Sequence, residues 1–352
     1  MISMHNLRRS LGSFAAISRS RLLGRTYVPH PRKQIFIETS GLCNLACRFC
    51  AYDQMPRGTI MGKELFIDAV DQAGKLGFSE IVLTPMLGDV FSDPGVYEKL
   101  DILEADERIT SFVFFTNLIM ARGRDMHRLG QYGKLRQFIV SVYGIDDQGF
   151  QLTTRKPVRQ LDKFCQNMEH LLALYKANPF ADGLDFSLRT VAMAGDPLAN
   201  DTRITRLIAE FLKLDGCRFS VAGEYDSWGG LIRQGDVDPL GIQITRGELI
   251  YMHGACTKLF GEVQIAYDGR VRACACRDTG GSLIIGDMKK TPLAEILCLD
   301  NAAYRSIIDD QMAGKFLSNC RSCSSYRSVY DHRAADAGAA MITIEQARKV
   351  IS

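Results

Sequence analysis

Residues 40–50 read SGLCNLACRFC and carry three cysteines, Cys43, Cys47 and Cys50, in the spacing Cys-x3-Cys-x2-Cys. They directly follow a short apolar run, so the thiols are expected on the loop at the C-terminal end of a strand. Three thiolates without a nearby fourth cysteine or histidine suit an iron–sulfur cubane that leaves one iron free of protein ligands. A structural zinc site is the alternative, but it needs four protein ligands, and the nearest histidine, His30, lies before the strand.

The chain around this loop, from residue 34 to about 222, alternates short apolar runs with longer amphipathic stretches. This pattern predicts parallel strands joined by crossover helices. The predicted strands are Gln34–Thr39, Glu80–Thr84, Ser111–Asn117, Gln137–Tyr143, Leu184–Val191 and Arg218–Ala222. The predicted helices lie near Gly62–Leu76, Gly95–Ala105, Ala121–Gly130, Val158–Tyr175 and Asp201–Leu214. Six such units make an open partial barrel or a doubly wound sheet, with the C-terminal ends of all strands on one rim, where the chemistry is expected.

The composition is that of a soluble α/β protein with one large and one smaller domain: 352 residues, 46% hydrophobic and 24% charged. The 43 basic and 40 acidic residues are mixed along most of the chain, so no nucleic-acid partner is expected. No apolar run approaches the roughly 18 residues of a membrane span, and we expect a cytoplasmic protein without an integral membrane segment. In a reducing compartment, eleven cysteines indicate metal or redox chemistry rather than disulfides.

Residues 1–33 form a basic N-terminal extension, with six arginines and no acidic residue before Glu38. The interleaved apolar residues fit an amphipathic helix that seeks a membrane surface. A terminal helix or arm that packs on the domain is the favoured interpretation.

The part after residue 222 loses the alternation. Residues 223–255 are glycine-rich and predict a linker. A small cysteine-rich domain is predicted over 256–330, with a hairpin formed by Glu262–Tyr267 and Arg270–Ala275 around Asp268-Gly269, and helices near Pro292–Leu297 and Ala302–Met312. Residues 331–352 are predicted to form a C-terminal helix from about Thr343. Four cysteines of this region fill a site for zinc or an iron–sulfur cluster: Cys256, Cys274, Cys320 and Cys323.

The three-cysteine spacing, its place after the first strand and the aromatic Phe49 before the third cysteine resemble the radical SAM superfamily. The resemblance implies a partial (β/α)6 TIM-like barrel in which the open iron of a [4Fe–4S] cluster binds S-adenosylmethionine (SAM). An electron from the reduced cluster would cleave SAM to a 5′-deoxyadenosyl radical, which abstracts a hydrogen atom from substrate. An external reductant such as flavodoxin or ferredoxin is implied as a partner.

The resemblance also suggests residues that contact SAM. The segment Met86-Leu87-Gly88-Asp89 is similar to the Gly-Gly-Glu element of the family, with Leu87 in place of the first glycine and Asp89 in place of the glutamate. An ordinary turn between strand and helix is the alternative. The implied SAM-binding residues are Phe49, Gly88, Asp89, Asn117, Ser141 and Arg189. Ser141 and Arg189 are alternatively structural polar residues.

The second cysteine group resembles the SPASM or twitch extension of the same superfamily, because Gly269 precedes Cys274 by four intervening residues and Cys320-x2-Cys323 follows. No cysteine follows Cys323, so the count fits the twitch form with one fully ligated [4Fe–4S] cluster, the second of the chain. Such a cluster serves as an electron conduit, which favours oxidation of a hydroxyl-bearing carbon. Cys276, two residues beyond a ligand, is the candidate catalytic hydrogen donor or alternative ligand, or simply packs.

A small substrate such as a sugar, cyclitol or aminoglycoside is favoured, because only 33 residues precede the first strand, where peptide-modifying relatives usually carry a larger domain. Glu224, Tyr225, Asp226 and Trp228 follow the sixth strand and suit contacts to a polar ring. Three enzyme hypotheses result: dehydrogenation, epimerisation and peptide modification. A zinc-binding regulatory protein with purely structural cysteines is the competing class.

Overall fold

A computed structural model describes residues 4–83, 86–192, 195–245, 251–275, 278, 280–334 and 341–352, and of residues 4–10 and 334 only the backbone. The strands are β1 (Val28–Pro29), β2 (Gln34–Ile37), β3 (Glu80–Leu83), β4 (Ser111–Thr116), β5 (Leu135–Val142), β6 (Gly183–Leu188), β7 (Cys217–Val221), β8 (Glu224–Asp226), β9 (Gln243–Thr245), β10 (Gln264–Ile265), β11 (Arg270–Arg272), β12 (Ile284–Asp287) and β13 (Met341–Ile342). The helices are α1 (Met4–Leu22), α2 (Lys63–Lys75), α3 (Val96–Ala105), α4 (Asp147–Thr154), α5 (Arg159–Ala177), α6 (Arg203–Phe211), α7 (Gln234–Val237), α8 (Lys258–Gly261), α9 (Leu293–Ile296), α10 (Ala302–Met312), α11 (Ser318–Arg321) and α12 (Ile344–Val350).

One sheet of nine strands organises the described chain, in the order β12-β11-β10-β2-β3-β4-β5-β6-β7. Strands β2 to β7 are parallel and in sequence order, with helices α2, α3, α5 and α6 between them. This confirms the predicted α/β fold and the partial barrel of six βα units. The C-terminal ends of the strands meet on one rim, as the right-handed crossover rule requires.

The helices cover one face of this sheet through apolar residues at helical spacing. In α2, Phe66, Ala69, Val70 and Ala73 recur at intervals of three and four residues and are all buried. On the strands, alternate residues such as Ile35 and Ile37 are wholly buried, as expected for side chains that point into the layer of helices. Side chains at the intervening positions, such as that of Phe36, lie on the opposite, concave face of the sheet.

The cysteine-rich C-terminal part continues the same sheet. Strand β10 pairs in parallel with β2, with Gln264 opposite Phe36, and antiparallel with β11, with Gln264 opposite Arg272. A third strand, β12, which the sequence did not predict, extends the hairpin. The two cysteine groups are therefore connected through one hydrogen-bonded ladder.

Some local predictions were wrong. The helix expected near Ala121–Gly130 is a 3₁₀ segment at Gly123–Gln131, whose buried Met126 and Leu129 are three residues apart, matching the tighter turn. Helix α4 was not predicted. The stretch 223–255, predicted as a linker, contains the parallel pair β8–β9 and helix α7.

The N-terminal helix α1 lies against the C-terminal segment. Ile17 and Ser20 are buried, Ser13 Oγ accepts a 3.1 Å hydrogen bond from Arg333, and β1 pairs with β13. Leu11, Phe14 and Leu22 remain exposed. The described helices include none that is long and apolar enough to cross a membrane.

Candidate active site

The loop that carries Cys43, Cys47 and Cys50 leaves the C-terminal end of β2, as predicted, and is held by backbone hydrogen bonds. Two of them reach helix α4: the amides of Arg48 and Ala46 donate to the carbonyl oxygens of Thr153 and Thr154, respectively. Arg155, at the left-handed C-cap of α4, donates from Nε to the Ala46 carbonyl at 2.6 Å. The loop is thus fixed by an element about a hundred residues away in the chain.

Tyr52 and Asn117 make polar contacts to the first cysteine. The Cys43 amide donates to the Tyr52 hydroxyl at 2.9 Å, and Asn117 Nδ2 lies 3.8 Å from Cys43 Sγ and 2.9 Å from Asn44 Oδ1. Asn117 was predicted to contact SAM. In the structure it is buried at the end of β4 and contacts the cysteine loop directly.

Asp89 fixes Asn117 in turn. Its carboxylate accepts hydrogen bonds from the Asn117 amide at 2.6 Å, the Phe91 amide at 3.0 Å and the Thr116 hydroxyl at 3.0 Å. Burial raises the pKa of Asp89 to about 6, although these hydrogen bonds lower it. The predicted Gly88-Asp89 segment therefore lies beside the cysteine loop and carries a buried, strongly hydrogen-bonded carboxyl group.

Gly88 is required by close packing of two backbones. A Cβ atom at this position would lie 2.0 Å from the carbonyl oxygen of Ser40, and the Asp89 amide donates to the Leu42 carbonyl at 2.8 Å. Only glycine allows this approach. The segment after β3 and the cysteine loop after β2 are consequently in direct contact.

Ser141 and Arg189 meet on the concave face of neighbouring strands. Arg189 donates from Nε and Nη2 to Ser141 Oγ at 3.3 and 3.2 Å. The ring of Phe49 is buried between those of Tyr225, at 4.5 Å, and Tyr143, at 6.1 Å. Tyr225, which the sequence suggested as a contact to a polar substrate, thus packs on Phe49 of the cysteine loop.

The three thiols of the loop lie close enough to affect one another's ionisation. Burial, with smaller contributions from nearby Asp89 and Cys50, raises the pKa of Cys43 to about 12. The pKa of Cys47 is also raised, by burial first and by Cys43 and Cys50 next. Iron would deprotonate such thiols outright.

In the described part of the chain, no three His, Cys, Asp or Glu side chains are arranged to hold a single metal ion. A cubane instead takes thiolates at separate corners, and the three neighbouring thiols of one loop fit that demand.

The second cysteine group is linked by residues that the sequence did not single out. Gln311 is buried and bridges two of the cysteines: its Oε1 accepts from the Cys256 amide at 2.8 Å, and its Nε2 lies 3.5 Å from Cys320 Sγ. Asp278 accepts from the Leu283 amide at 2.9 Å and from Asn319 Nδ2 at 3.1 Å, which joins the hairpin to the turn before Cys320. Burial raises the pKa of Cys320 to about 12, with Cys256 and Asp278 adding to the effect.

Cys274 is buried two residues after β11, and Cys323 follows Cys320 in a turn in which the Cys323 amide donates to the Cys320 carbonyl. The predicted hydrogen donor, Cys276, lies outside the described residues.

A parallel sheet with three neighbouring thiols after β2, extended by a hairpin that carries a second thiol group, is the arrangement expected of a partial-barrel iron–sulfur protein. Two family models match the chain: the radical SAM superfamily over residues 37–197 and the SPASM iron–sulfur cluster-binding domain over residues 256–324. The chain therefore carries a radical SAM domain followed by a C-terminal SPASM domain. Its cofactors are SAM and [4Fe–4S] clusters, and it is a radical SAM enzyme.

Solved structures with a similar fold are distant in sequence. BtrN in complex with AdoMet and 2-DOIA is 13% identical, with a TM-score of 0.52 over 85% of this chain and 96% of BtrN. Native anSMEcpe with bound AdoMet and Kp18Cys peptide is 15% identical, with a TM-score of 0.52 over 90% of this chain and 95% of that one. A search of curated proteins finds no significant match.

Proposed function

We propose that the chain oxidises a hydroxyl-bearing carbon of a small sugar-, cyclitol- or aminoglycoside-like substrate. Cys43, Cys47 and Cys50 would hold the cluster that binds SAM, and Cys256, Cys274, Cys320 and Cys323 a closed auxiliary cluster. When bound, SAM and the clusters supply a radical that takes a hydrogen atom from substrate and an acceptor for the remaining electron.

The observation that carries this proposal is a cavity of about 220 Å³ bounded by both halves of the molecule. Gly41 and Tyr52 of the open-cluster loop line one side, and Tyr267 and Arg272 of the hairpin line the other. Strand β11 leads to Cys274, and strand β2 leads to Cys43. Because β10 alone lies between them, β11 and β2 are about 10 Å apart. A substrate held here would have short paths to both cysteine groups.

The residues of the chain would act by positioning. Asn117 and Tyr52 fix the loop around Cys43 through the contacts described above, and Asp89 holds Asn117. Asp89 would face the ammonium group of SAM. Arg189, which donates a hydrogen bond to Ser141, would face the carboxylate group of SAM. Two further residues would complete the SAM site. Gly88 closely approaches Ser40, and Phe49 lies between Tyr143 and Tyr225.

Peptide modification is the second candidate, because anSMEcpe, whose structure contains a peptide, resembles this chain as closely in fold as BtrN does. Epimerisation is the third and would need a hydrogen donor, for which Cys276 is the candidate by sequence. External electrons for either route would come from a flavodoxin- or ferredoxin-like protein.

Anaerobic reconstitution followed by reduction tests the proposal. We expect about eight irons per chain, formation of 5′-deoxyadenosine, and one ketone per SAM consumed with 2-DOIA or a related cyclitol. Incorporation of solvent deuterium at an inverted carbon would indicate an epimerase, and turnover only with peptides would indicate the second candidate.

Cysteine variants separate the two clusters. Replacing Cys320 and Cys323 by serine should remove about four irons and ketone formation while leaving SAM cleavage. Cys165→Ala, at a buried position of α5 far from both groups in the chain, is the control and should retain all iron. Full iron content in the double variant would contradict the ligand assignment.

A further inference from the structure

Glu38 is a buried carboxylate to which neither the fold nor the proposed cluster sites give a role. It follows β2 directly, and its residue is only 1% exposed. Its Oε1 accepts a 2.9 Å hydrogen bond from the Met86 amide. Its Oε2 has no hydrogen-bond partner among the residues that the structure describes.

Arg272 faces Glu38 across the junction between the barrel and the hairpin. It lies on β11, in register with Gln264 and through it with Phe36, and donates from Nη1 to Gln264 Oε1 at 3.1 Å. The distance from Nη1 to Glu38 Oε2 is 3.6 Å, which is an ion pair but not a hydrogen bond. Its Nε is buried and, within the described chain, has no hydrogen-bond partner.

Within the described chain, one acceptor and one donor of this buried ion pair thus lack hydrogen-bond partners. Each such group costs about 1–3 kcal/mol when buried without a partner, so native structures retain few of them. Both side chains line the cavity of about 220 Å³ described above. The two atoms are therefore placed where a ligand in the cavity can complete their hydrogen bonds.

The charged side chains that the structure describes around this cavity are paired with one another. Glu38 opposes Arg272, and the other arginine of the lining, Arg270, donates from Nε to Asp268 at 2.7 Å. A balanced lining gives no net attraction to an anion or a cation. A neutral ligand group is favoured.

We infer that Glu38 and Arg272 form the subsite that binds a hydroxyl group of a neutral polyhydroxylated ring. An ammonium group only donates and a carboxylate or phosphate only accepts, whereas a hydroxyl donates to Glu38 and accepts from Arg272. This inference rests on the proposed function and narrows its substrate to the polyol class. Tyr52, whose hydroxyl accepts from the Cys43 amide, lines the same cavity and places the ring beside the open-cluster loop.

Equilibrium dialysis of myo-inositol against reconstituted, SAM-loaded protein tests the inference without turnover. We expect binding to wild-type protein and a loss of affinity of about 10- to 100-fold in Glu38→Gln, which loses the charged acceptor. The matched control is Glu80→Gln on the adjacent strand β3. Glu80 does not line the cavity and forms ion pairs with Lys33 and Arg136, each at 3.5 Å. This variant should bind like wild type.

A second measurement uses wild-type protein alone, in case Glu38→Gln does not fold. Inositols lacking one hydroxyl should bind unequally, with one position costing about tenfold or more. The subsite assignment would be wrong if all deoxy analogues bound with equal affinity, or if Glu38→Gln bound myo-inositol as tightly as wild type does. Binding of cyclohexylamine or a short peptide in place of myo-inositol would also contradict it. If the subsite failed these tests but a ketone still formed, the proposed function would stand. If polyols bound but no ketone formed, the proposed oxidation would be wrong and the subsite would stand.

Discussion

The indole Nε1–H of Trp228 donates a 2.8 Å hydrogen bond to the carbonyl oxygen of Phe49, 179 residues earlier in the chain. Phe49 precedes Cys50, so the folded segment after β7 closes over the open-cluster loop. Trp228 is buried, and its φ of 50° places it in the left-handed region that is costly for a tryptophan. The contact explains why this segment is folded despite its glycine content.

Tryptophan emission should report assembly of the first cluster. Trp228 is the single tryptophan of the chain, and iron–sulfur clusters absorb light at the wavelengths of indole emission. Reconstitution should quench this emission, and removal of iron with a chelator should restore it. Fluorescence titration with iron and sulfide checks the effect.

Cysteine variants provide the control. Loss of Cys43, Cys47 and Cys50 should abolish most of the quenching, whereas loss of Cys320 and Cys323 should leave most of it. The opposite pattern would mean that Trp228 lies nearer the second cluster.

Asp89→Asn should change how stability depends on pH. Because the folded-state pKa of Asp89, about 6, lies above its ordinary value of 3.8, the folded state binds this proton more tightly than the unfolded chain does. The contribution of protonated Asp89 to the free energy of unfolding is therefore fully present at low pH and is lost as the pH rises through about 6. Between pH 5 and 7 the free energy of unfolding of wild type should fall by about 1 kcal/mol relative to the variant.

Urea denaturation of iron-free protein across this range measures the difference. Asp196→Asn is the matched substitution, since exposed Asp196 also accepts from a backbone amide, that of Leu198 at 3.0 Å. Parallel curves for wild type and Asp89→Asn would show that burial does not govern the pKa of this carboxyl.

Gly88→Ala should disrupt the contact between the two loops. The added methyl group meets the Ser40 carbonyl oxygen at 2.0 Å, and because both partners are backbone, neither can move aside cheaply. We expect a loss of about 3 kcal/mol or more in the free energy of unfolding and a lower iron content. Gly62→Ala is the control, since its nearest neighbour is a flexible Glu64 side-chain atom at 3.7 Å. Equal stability of both variants would refute this account.

Lys99→Met should destabilise the protein far more than Lys63→Met. Lys99 is buried, forms an ion pair with the buried Asp93 and donates to the Met61 carbonyl at 2.6 Å. Its loss leaves the carboxylate of Asp93 buried and uncompensated, at a cost of about 3–5 kcal/mol. The Lys63–Glu98 pair is exposed to solvent, which screens the attraction between its charges, so its loss should cost far less. Chemical denaturation compares the two, and similar losses would contradict the assigned role of burial.

Sequence periodicity predicted the six parallel strands and four of the five crossover helices, since buried helices and strands are amphipathic in characteristic ways. It failed at Gly123–Gln131, where two glycines and a three-residue apolar interval favour a 3₁₀ segment. It also failed at α4, whose eight residues are too short to show a clear period.

The sequence by itself determined the family, because the spacing of Cys43, Cys47 and Cys50 is a local property of one loop. It likewise determined the α/β fold, which follows from the alternation of apolar runs. Only the tertiary structure decided what surrounds that loop: the clamp of Asp89 on Asn117, the Trp228 contact and the pairing of Glu38 with Arg272. These contacts join residues far apart in the chain, and whether a polar side chain is buried or left without a partner depends on packing that no local pattern encodes.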